Sequence, residues 1–289
     1  MMTLNNLLAK IHRLKSMNKP KVIVADIDGT LVPRHQELSL DTINTIKKIR
    51  SSGIYFGIAS GRPKNELATL LNRWKKQGIE NDLIIASNGC VLIDNITKSE
   101  YEYYFLQPEQ IKEAFRFMKP FKHNPTCAIN GVSCCGYYDE FVEISEKYIG
   151  TKVVLCESKD YHEMWQQPVG KIMFRVDEKD MPRIEEYYQK NKPNNIIGFK
   201  TNAMAFEFTD PRASKGVALK NFCKLHNIDI KDSMAFGDTS NDNQMLLTAG
   251  VGVCLKNGTD DTKKCANYIT DHDVDHDGFA KFVHSFLNI

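Results

Sequence analysis

The stretch KVIVADIDGTLV, residues 21–32, opens as an apolar run and closes on two acids. Val22, Ile23, Val24 and Ala25 read as a strand buried on both faces, as in a sheet with helices on either side. Asp26 and Asp28 follow, one residue apart, with Gly29 and Thr30 behind them. Two carboxylates this close repel, and burying either one unpaired costs several kcal/mol, so their place at the mouth of a core strand demands a reason.

Outward from this strand, short apolar runs alternate with helical stretches. SLDTINTIKKIRSSG predicts a helix with Ser39 as its cap and Gly53 as its stop. IYFGIAS reads as a second strand, PKNELATLLNRWKKQG as a second helix and DLIIAS as a third strand, a rhythm that implies a parallel sheet. The texture changes after Asn88-Gly89. CVLIDN and EYEYYFLQ predict a hairpin, PEQIKEAFRFM a helix, VGKIMFRVD a strand, EKDMPRIEEYYQK a helix, and IIGFKT with AMAFEFTD a second hairpin. These describe an α+β unit over residues 87–210, with its weakest pattern between Lys122 and Tyr161. From Ser214 the βα pattern resumes through SKGVALKNFCKLHNI, DSMAFGD, NDNQMLLTAG and VGVCL. The expected organisation is an extension at 1–20, a parallel-sheet α/β core at 21–86 and 211–289, and an inserted unit between the two halves.

Bulk properties narrow the function classes. The chain has 289 residues, 42% of them apolar, and a formal charge of +2, so nothing global points to nucleic acid or an anionic membrane. No apolar run approaches the roughly 20 residues of a membrane helix. The eight cysteines form no C-x-x-C pair and follow no secretory segment, which favours reduced thiols in a cytoplasmic protein. The first twenty residues contain no acid, and Leu4, Leu7, Leu8, Ile11 and Leu14 fall at helical spacing, so a basic amphipathic helix packed on the domain is expected there.

In open parallel sheets, ligands bind at the carboxyl ends of the strands. Three strand ends here carry polar groups: Asp26 with Asp28, Ser60-Gly61-Arg62, and Gly237-Asp238 followed by Asn241 and Asp242. A lone Asp in such a place is commonly a turn former or helix cap, and Ser60 could simply cap the helix that starts near Pro63. Recurrence at three strand ends of one sheet argues instead for a cation. Oxygen-only ligands suit Mg²⁺, beside which one Asp becomes an attacking carboxylate.

DIDGT (26–30), ASGR (59–62), Lys215 in SKGVALK and GDTSND (237–242) resemble, in order, the four motifs of the haloacid dehalogenase-like phosphatases. The insertion after the second motif resembles the large α+β cap of the Cof-type subfamily (type IIB), and Asn88-Gly89 and VGVCLKNG fit that subfamily too. The resemblance implies a Rossmann-like core with an inserted cap, and a small-molecule phosphate ester, foremost a sugar phosphate, as substrate. It implies Asp26 as nucleophile, Asp28 as acid and then base, Ser60 as a donor to the phosphoryl oxygens, and Lys215 as the cation beside them. Mg²⁺ would be held by Asp26, the Asp28 carbonyl and Asp238, with Asp242 assisting through water and Asn241 supporting nearby. Thr30, Gly61, Arg62 and Asn88 complete the expected phosphate and substrate side. Lys256 stands where the family commonly has a small glycine. A monomer or weak homo-oligomer is expected.

Two other readings stay open on the sequence. A phosphomutase on the same fold would return the phosphoryl group to the substrate. A non-catalytic or calcium-binding protein would use DHDVDHDG (271–278), whose Asp273, Asp275, Asp277 and Gly278 match the start of an EF-hand loop; its twelfth position, however, is His284, not the required Glu.

Overall fold

A computed structural model describes residues 19–33, 36–150 and 152–288, without the side chains of residues 144, 145, 148 and 149. The amphipathic segment expected over the first twenty residues therefore lies almost wholly outside the described residues.

The opening strand, β1 (Val22–Ala25), lies near the middle of an eight-stranded sheet. β2 (Tyr55–Ala59) and β3 (Leu83–Ala86) continue the sheet on one side, all parallel. On the other side lie β12 (Ser233–Gly237), β13 (Val251–Cys254) and β14 (Tyr268–Ile269), also parallel. No β1 side chain reaches solvent, because both faces are covered. Ile23 and Ala25 pack with Ile43, Ile46 and Ile49 of α1 (Leu40–Ser51) and with Phe279 and Val283 of the last helix. Val22 and Val24 pack on the opposite face with Leu219 and Phe222 of the helix that follows the insertion. Each such burial stabilises the fold by about 1.5–3 kcal/mol relative to exposure. Ser39 caps α1 as expected, its Oγ accepting from Thr42 N at 3.0 Å, and the helix gives way at Gly53, φ +76°.

The first expected hairpin sits elsewhere than anticipated. β4 (Val91–Asp94) pairs antiparallel with β3, and β5 (Ser99–Glu102) with β4, so this hairpin is the edge of the core sheet and not part of the inserted unit. The cause is local. Asn88 (φ +55°) and Gly89 (φ +101°) turn the chain straight back along β3, and Val91 and Leu92 are apolar on successive positions, hence buried on both faces. A Cβ on Gly89 would lie 2.1 Å from the Ser214 carbonyl oxygen, so only glycine fits where the chain leaves β3 beside the point of its return.

The insertion builds a second sheet, ordered β10-β11-β9-β6-β7-β8. Its strands are β6 (Asn124–Ile129), β7 (Val132–Cys135), β8 (Val153–Leu155), β9 (Ile172–Arg175), β10 (Ile197–Asn202) and β11 (Ala205–Thr209). Helices α3 (Pro108–Met118) and α5 (Met181–Lys190) cover one face, packing Ile111, Phe117, Met118 and Ile184 against Ile172, Phe174, Phe206 and Phe208. The alternate residues, Thr126, Cys135, Met173, Arg175 and Glu207, point the other way, toward the carboxyl ends of the core strands. The poorly patterned segment from Lys122 to Tyr161 resolves into β6, β7, β8 and α4 (Glu140–Ile149).

The two connectors between the units lie against each other. The Arg212 guanidinium of the returning connector lies 4.7 Å over the Tyr104 ring of the outgoing one, and Leu106 exchanges backbone hydrogen bonds at 2.8 and 3.1 Å with Val169, which lies inside the second unit just before β9. All eight cysteines are free thiols, and no helix among the described residues is long and apolar enough to cross a membrane. The DHDVDHDG segment forms a turn closed by Gly278 N donating to Asp273 O at 2.8 Å, and the last helix, Gly278–Leu287, starts there.

Candidate active site

β1 delivers Asp26 to the carboxyl end of the sheet, where its amide still donates to Phe236 O of β12 at 2.9 Å. The side chain is buried, and Oδ1 accepts from Lys215 Nζ at 2.5 Å. Lys215 is fully buried at the start of α6 (Lys215–Leu225), behind Ser214, whose Oγ accepts from Val217 N. A cation in a first helical turn opposes the helix dipole. Two carboxylates hold it there, since Nζ also donates to Asp242 Oδ1 at 2.6 Å.

Asp242 is fully occupied: its Oδ2 accepts from the amides of Asp238 (2.9 Å) and Thr239 (3.1 Å), fixing the turn that carries Asp238. Asp238 Oδ1 accepts from Thr30 Oγ1 at 2.9 Å, so Thr30 braces this carboxylate. Gly29, φ +92°, makes the approach possible, because a Cβ there would lie 2.4 Å from Asp238 Oδ2. Asn257 Nδ2 donates to Gly29 O at 2.8 Å while its Oδ1 accepts from Val274 N, tying the loop after β13 to the Asp26–Thr30 turn.

Asp26, Asp238 and Asp242 bring one carboxylate oxygen each within 4.8 Å of one another, with Lys215 the ammonium between two of them. Burial pushes the Asp26 carboxyl well above its ordinary value. Lys215 pulls it down, and Asp242 and Asp238 push it up again. Burial works against the Lys215 ammonium, but Asp242 and Asp26 together raise it above the ordinary lysine value. Three buried carboxylates against one ammonium leave an excess of negative charge, and all-oxygen donors suit a hard divalent cation.

Asp28 has its own cation. Arg62 Nε and Nη2 donate to its two oxygens at 2.9 and 2.8 Å. The neighbouring acids of the opening strand are therefore neutralised separately, Asp26 by Lys215 and Asp28 by Arg62. Ser60 is buried and does not cap the following helix, α2 (Lys64–Lys76), whose cap position is Pro63. Its Oγ instead accepts from Arg62 N at 3.1 Å, which leaves its O–H to donate into the cavity.

Asn88 and Asn241, expected to face the substrate, spend their amides on each other and on the second sheet. Asn241 Nδ2 donates to Asn88 Oδ1 at 3.1 Å, and Asn88 Nδ2 donates to Glu207 Oε1. Glu207 Oε2 accepts from Lys171 Nζ at 2.5 Å, and Thr239 Oγ1 donates to Asn241 Oδ1 at 2.8 Å. A continuous relay thus runs from Lys171 through Glu207, Asn88 and Asn241 to Thr239, beside Asp238. Gly61 borders it, with room for a Cβ only 3.0 Å from Asn88 Oδ1. Glu207, Lys171 and Glu66, which accepts from Ser133 Oγ at 3.4 Å, were not anticipated from the sequence. The signal for Glu207 is present in AFEFT, a charged residue in the middle of an otherwise apolar strand. Between the sheets lies a cavity of about 660 Å³, floored by Asp26, Asp28, Ser60 and Arg62 and roofed by Thr126, Met173 and Arg175.

A model of the haloacid dehalogenase-like hydrolases matches residues 23–283. The chain is 25% identical over 276 residues to a Bacillus subtilis 5-amino-6-(5-phospho-D-ribitylamino)uracil phosphatase, a match covering 94% of this chain and 99% of that protein. Among solved structures, a haloacid dehalogenase-like hydrolase from Bacteroides thetaiotaomicron superposes with a TM-score of 0.78 at 23% identity, covering 92% of this chain and 99% of the other. A sugar phosphatase of subclass IIB superposes with a TM-score of 0.79 at 21% identity, covering 93% and 100%. At these identities the structural likeness speaks for the fold.

Proposed function

The chain belongs to the haloacid dehalogenase-like hydrolases, and from that premise we propose that it is a Mg²⁺-dependent phosphatase acting on a small phosphorylated metabolite of the sugar phosphate class. The observation that carries this reading is the buried Asp26 on the cavity floor, held by Lys215 at 2.5 Å with Asp238 and Asp242 beside it. The relatives' names, a sugar phosphatase and a phosphatase of a ribityl phosphate, agree with the substrate class.

In the first half-reaction a carboxylate oxygen of Asp26 attacks phosphorus and forms an aspartyl-phosphate, while the bond to the leaving oxygen breaks and Asp28 gives that oxygen a proton. In the second, Asp28 takes a proton from water, whose oxygen attacks the same phosphorus. Inorganic phosphate leaves and the Asp26 carboxylate is restored. Arg62 fixes Asp28 in the orientation that both steps need, and protonated Asp28 gives up one of the two bonds to Arg62. Ser60 O–H and Lys215 Nζ stabilise charge on the transferring phosphoryl oxygens. Asp26, Asp238 and the Asp28 carbonyl would hold Mg²⁺, which would supply further neutralisation of that phosphoryl group. Asp242, with both oxygens engaged, braces Lys215 and Asp238.

The test is hydrolysis of p-nitrophenyl phosphate and hexose phosphates by wild type and Asp26→Asn, with and without EDTA, plus acid-quenched labelling by a ³²P-phosphoester. Release of phosphate that needs Mg²⁺ and Asp26, with label on wild type only, is expected. Full turnover by Asp26→Asn overturns the mechanism, and isomerised hexose phosphate in place of free phosphate indicates a mutase.

A further inference from the structure

Arg175 closes β9 on the cavity face of the second sheet, four residues beyond Lys171 and in register with Asn124 on one side and Ala205 on the other. It is only 7% exposed. Among the described residues its guanidinium makes one hydrogen bond, from Nη2 to Asp139 Oδ2 at 2.8 Å, and its Nε is buried with no partner at all. A guanidinium carries five N–H donors, and each one buried without an acceptor costs about 1–3 kcal/mol. Arg62, on the cavity floor, is by contrast engaged through both Nε and Nη2.

Its surroundings hold the group in place without using it up. The Phe141 ring lies 4.9 Å from the guanidinium carbon and covers one flat face. Asp139, its single ion partner, also accepts from Asn124 Nδ2 at 2.9 Å and, as the cap of α4, from Val142 N at 2.9 Å. That carboxylate's charge is therefore shared among three donors and a helix N-terminus, and the guanidinium keeps a surplus of positive charge and of donors. Burial lowers the Arg175 pKa, the direction expected of a cation short of acceptors. Position sets the reach. Along a strand, four residues place Arg175 about 13 Å from Lys171, which stands at the Asn88 end beside the phosphoryl-transfer groups.

Resting on the phosphatase reading above, we infer that Arg175 is a specificity-determining residue that takes an oxyanion at the far end of an elongated phosphate monoester. The substrate class is an extended polyol or sugar-acid phosphate with a carboxylate or second phosphate opposite its ester. Such a ligand supplies the acceptors that the guanidinium lacks, and its chain lies along Thr126 and Met173, which are uncharged.

Two probes isolate this contact: 6-phosphogluconate and sorbitol 6-phosphate share an open six-carbon chain and a phosphate ester but differ at C1, carboxylate against hydroxymethyl. Wild type is expected to favour the acid in kcat/KM by roughly tenfold to a hundredfold, the worth of one charge-assisted contact. Arg175→Met should bring that ratio to about one, and Arg175→Lys should retain part of it. A wild-type ratio near one, or an Arg175→Met variant that lowers both substrates in parallel, overturns the assignment. Calorimetric binding of both probes to wild type and Arg175→Lys reads the same preference without turnover, and it also stands if the methionine variant fails to fold. Absence of p-nitrophenyl phosphate hydrolysis would sink the phosphatase reading, whereas unequal binding of the two probes would still support the subsite.

Discussion

The two sheets place their working groups in opposite ways. In the core sheet, strands such as β1 are buried on both faces and contribute nothing to the cavity along their length; Asp26, Ser60 and Asp238 all sit where a strand stops. In the second sheet, helices cover only one face, and the other is itself the cavity roof, so Met173, Arg175 and Glu207 act from within strands. In the proposed function the core would therefore bind phosphate and metal through loop geometry, and the second sheet would meet the remainder of the substrate through strand alternation.

That division predicts a gradient of effects. Asp26→Asn should cost at least about a thousandfold in p-nitrophenyl phosphate turnover. A smaller loss would mean that the core does not hold the chemistry alone. Lys215→Met should lower kcat roughly a hundredfold to a thousandfold. It also leaves Asp26 and Asp242 buried without their cation, a destabilisation of about 3–5 kcal/mol that urea unfolding in EDTA would read.

Glu207→Gln keeps the side chain's shape but removes the ion pair to Lys171, and displacement of the Asn88–Asn241 end should cost roughly tenfold in kcat/KM. A loss as deep as that of Asp26→Asn would erase the distinction between the sheets. The smallest effect is expected at their seam. Burial raises the Glu66 carboxyl above its ordinary value, against the pull of Lys171 and Arg62. The folded chain therefore binds that proton more tightly than the unfolded chain, and stability declines as pH rises through the raised value. Glu66→Gln lacks this titration, so its melting temperature should equal that of wild type near about pH 4 and exceed it by a few degrees near about pH 8.

The same contrast explains what the sequence disclosed. DIDGT and GDTSND are contiguous because a strand end and its turn are contiguous, so the core site is legible as motifs. Lys171, Met173 and Arg175 alternate with Ile172 and Phe174, and which set faces a cavity depends on the helices that cover the other. The sequence places Asn88 and Asn241 on the substrate side, but it does not disclose the bonds that engage their amides, because Glu207 lies 119 positions from Asn88. The β4–β5 hairpin is legible in the sequence as a hairpin but not as the edge of the core sheet, since a hairpin's pattern names its own two strands and not the strand it joins. Lys256, the departure from the family pattern, is exposed beside Asn257, and its amide donates to Thr270 Oγ1.

The clasped connectors have a mechanical consequence. Arg212 over Tyr104 clasps the two connectors, and Leu106 against Val169 fastens the outgoing connector to the second unit. A ligand that spans floor and roof would therefore tie together, at the cavity, two units that the chain already fastens through these contacts.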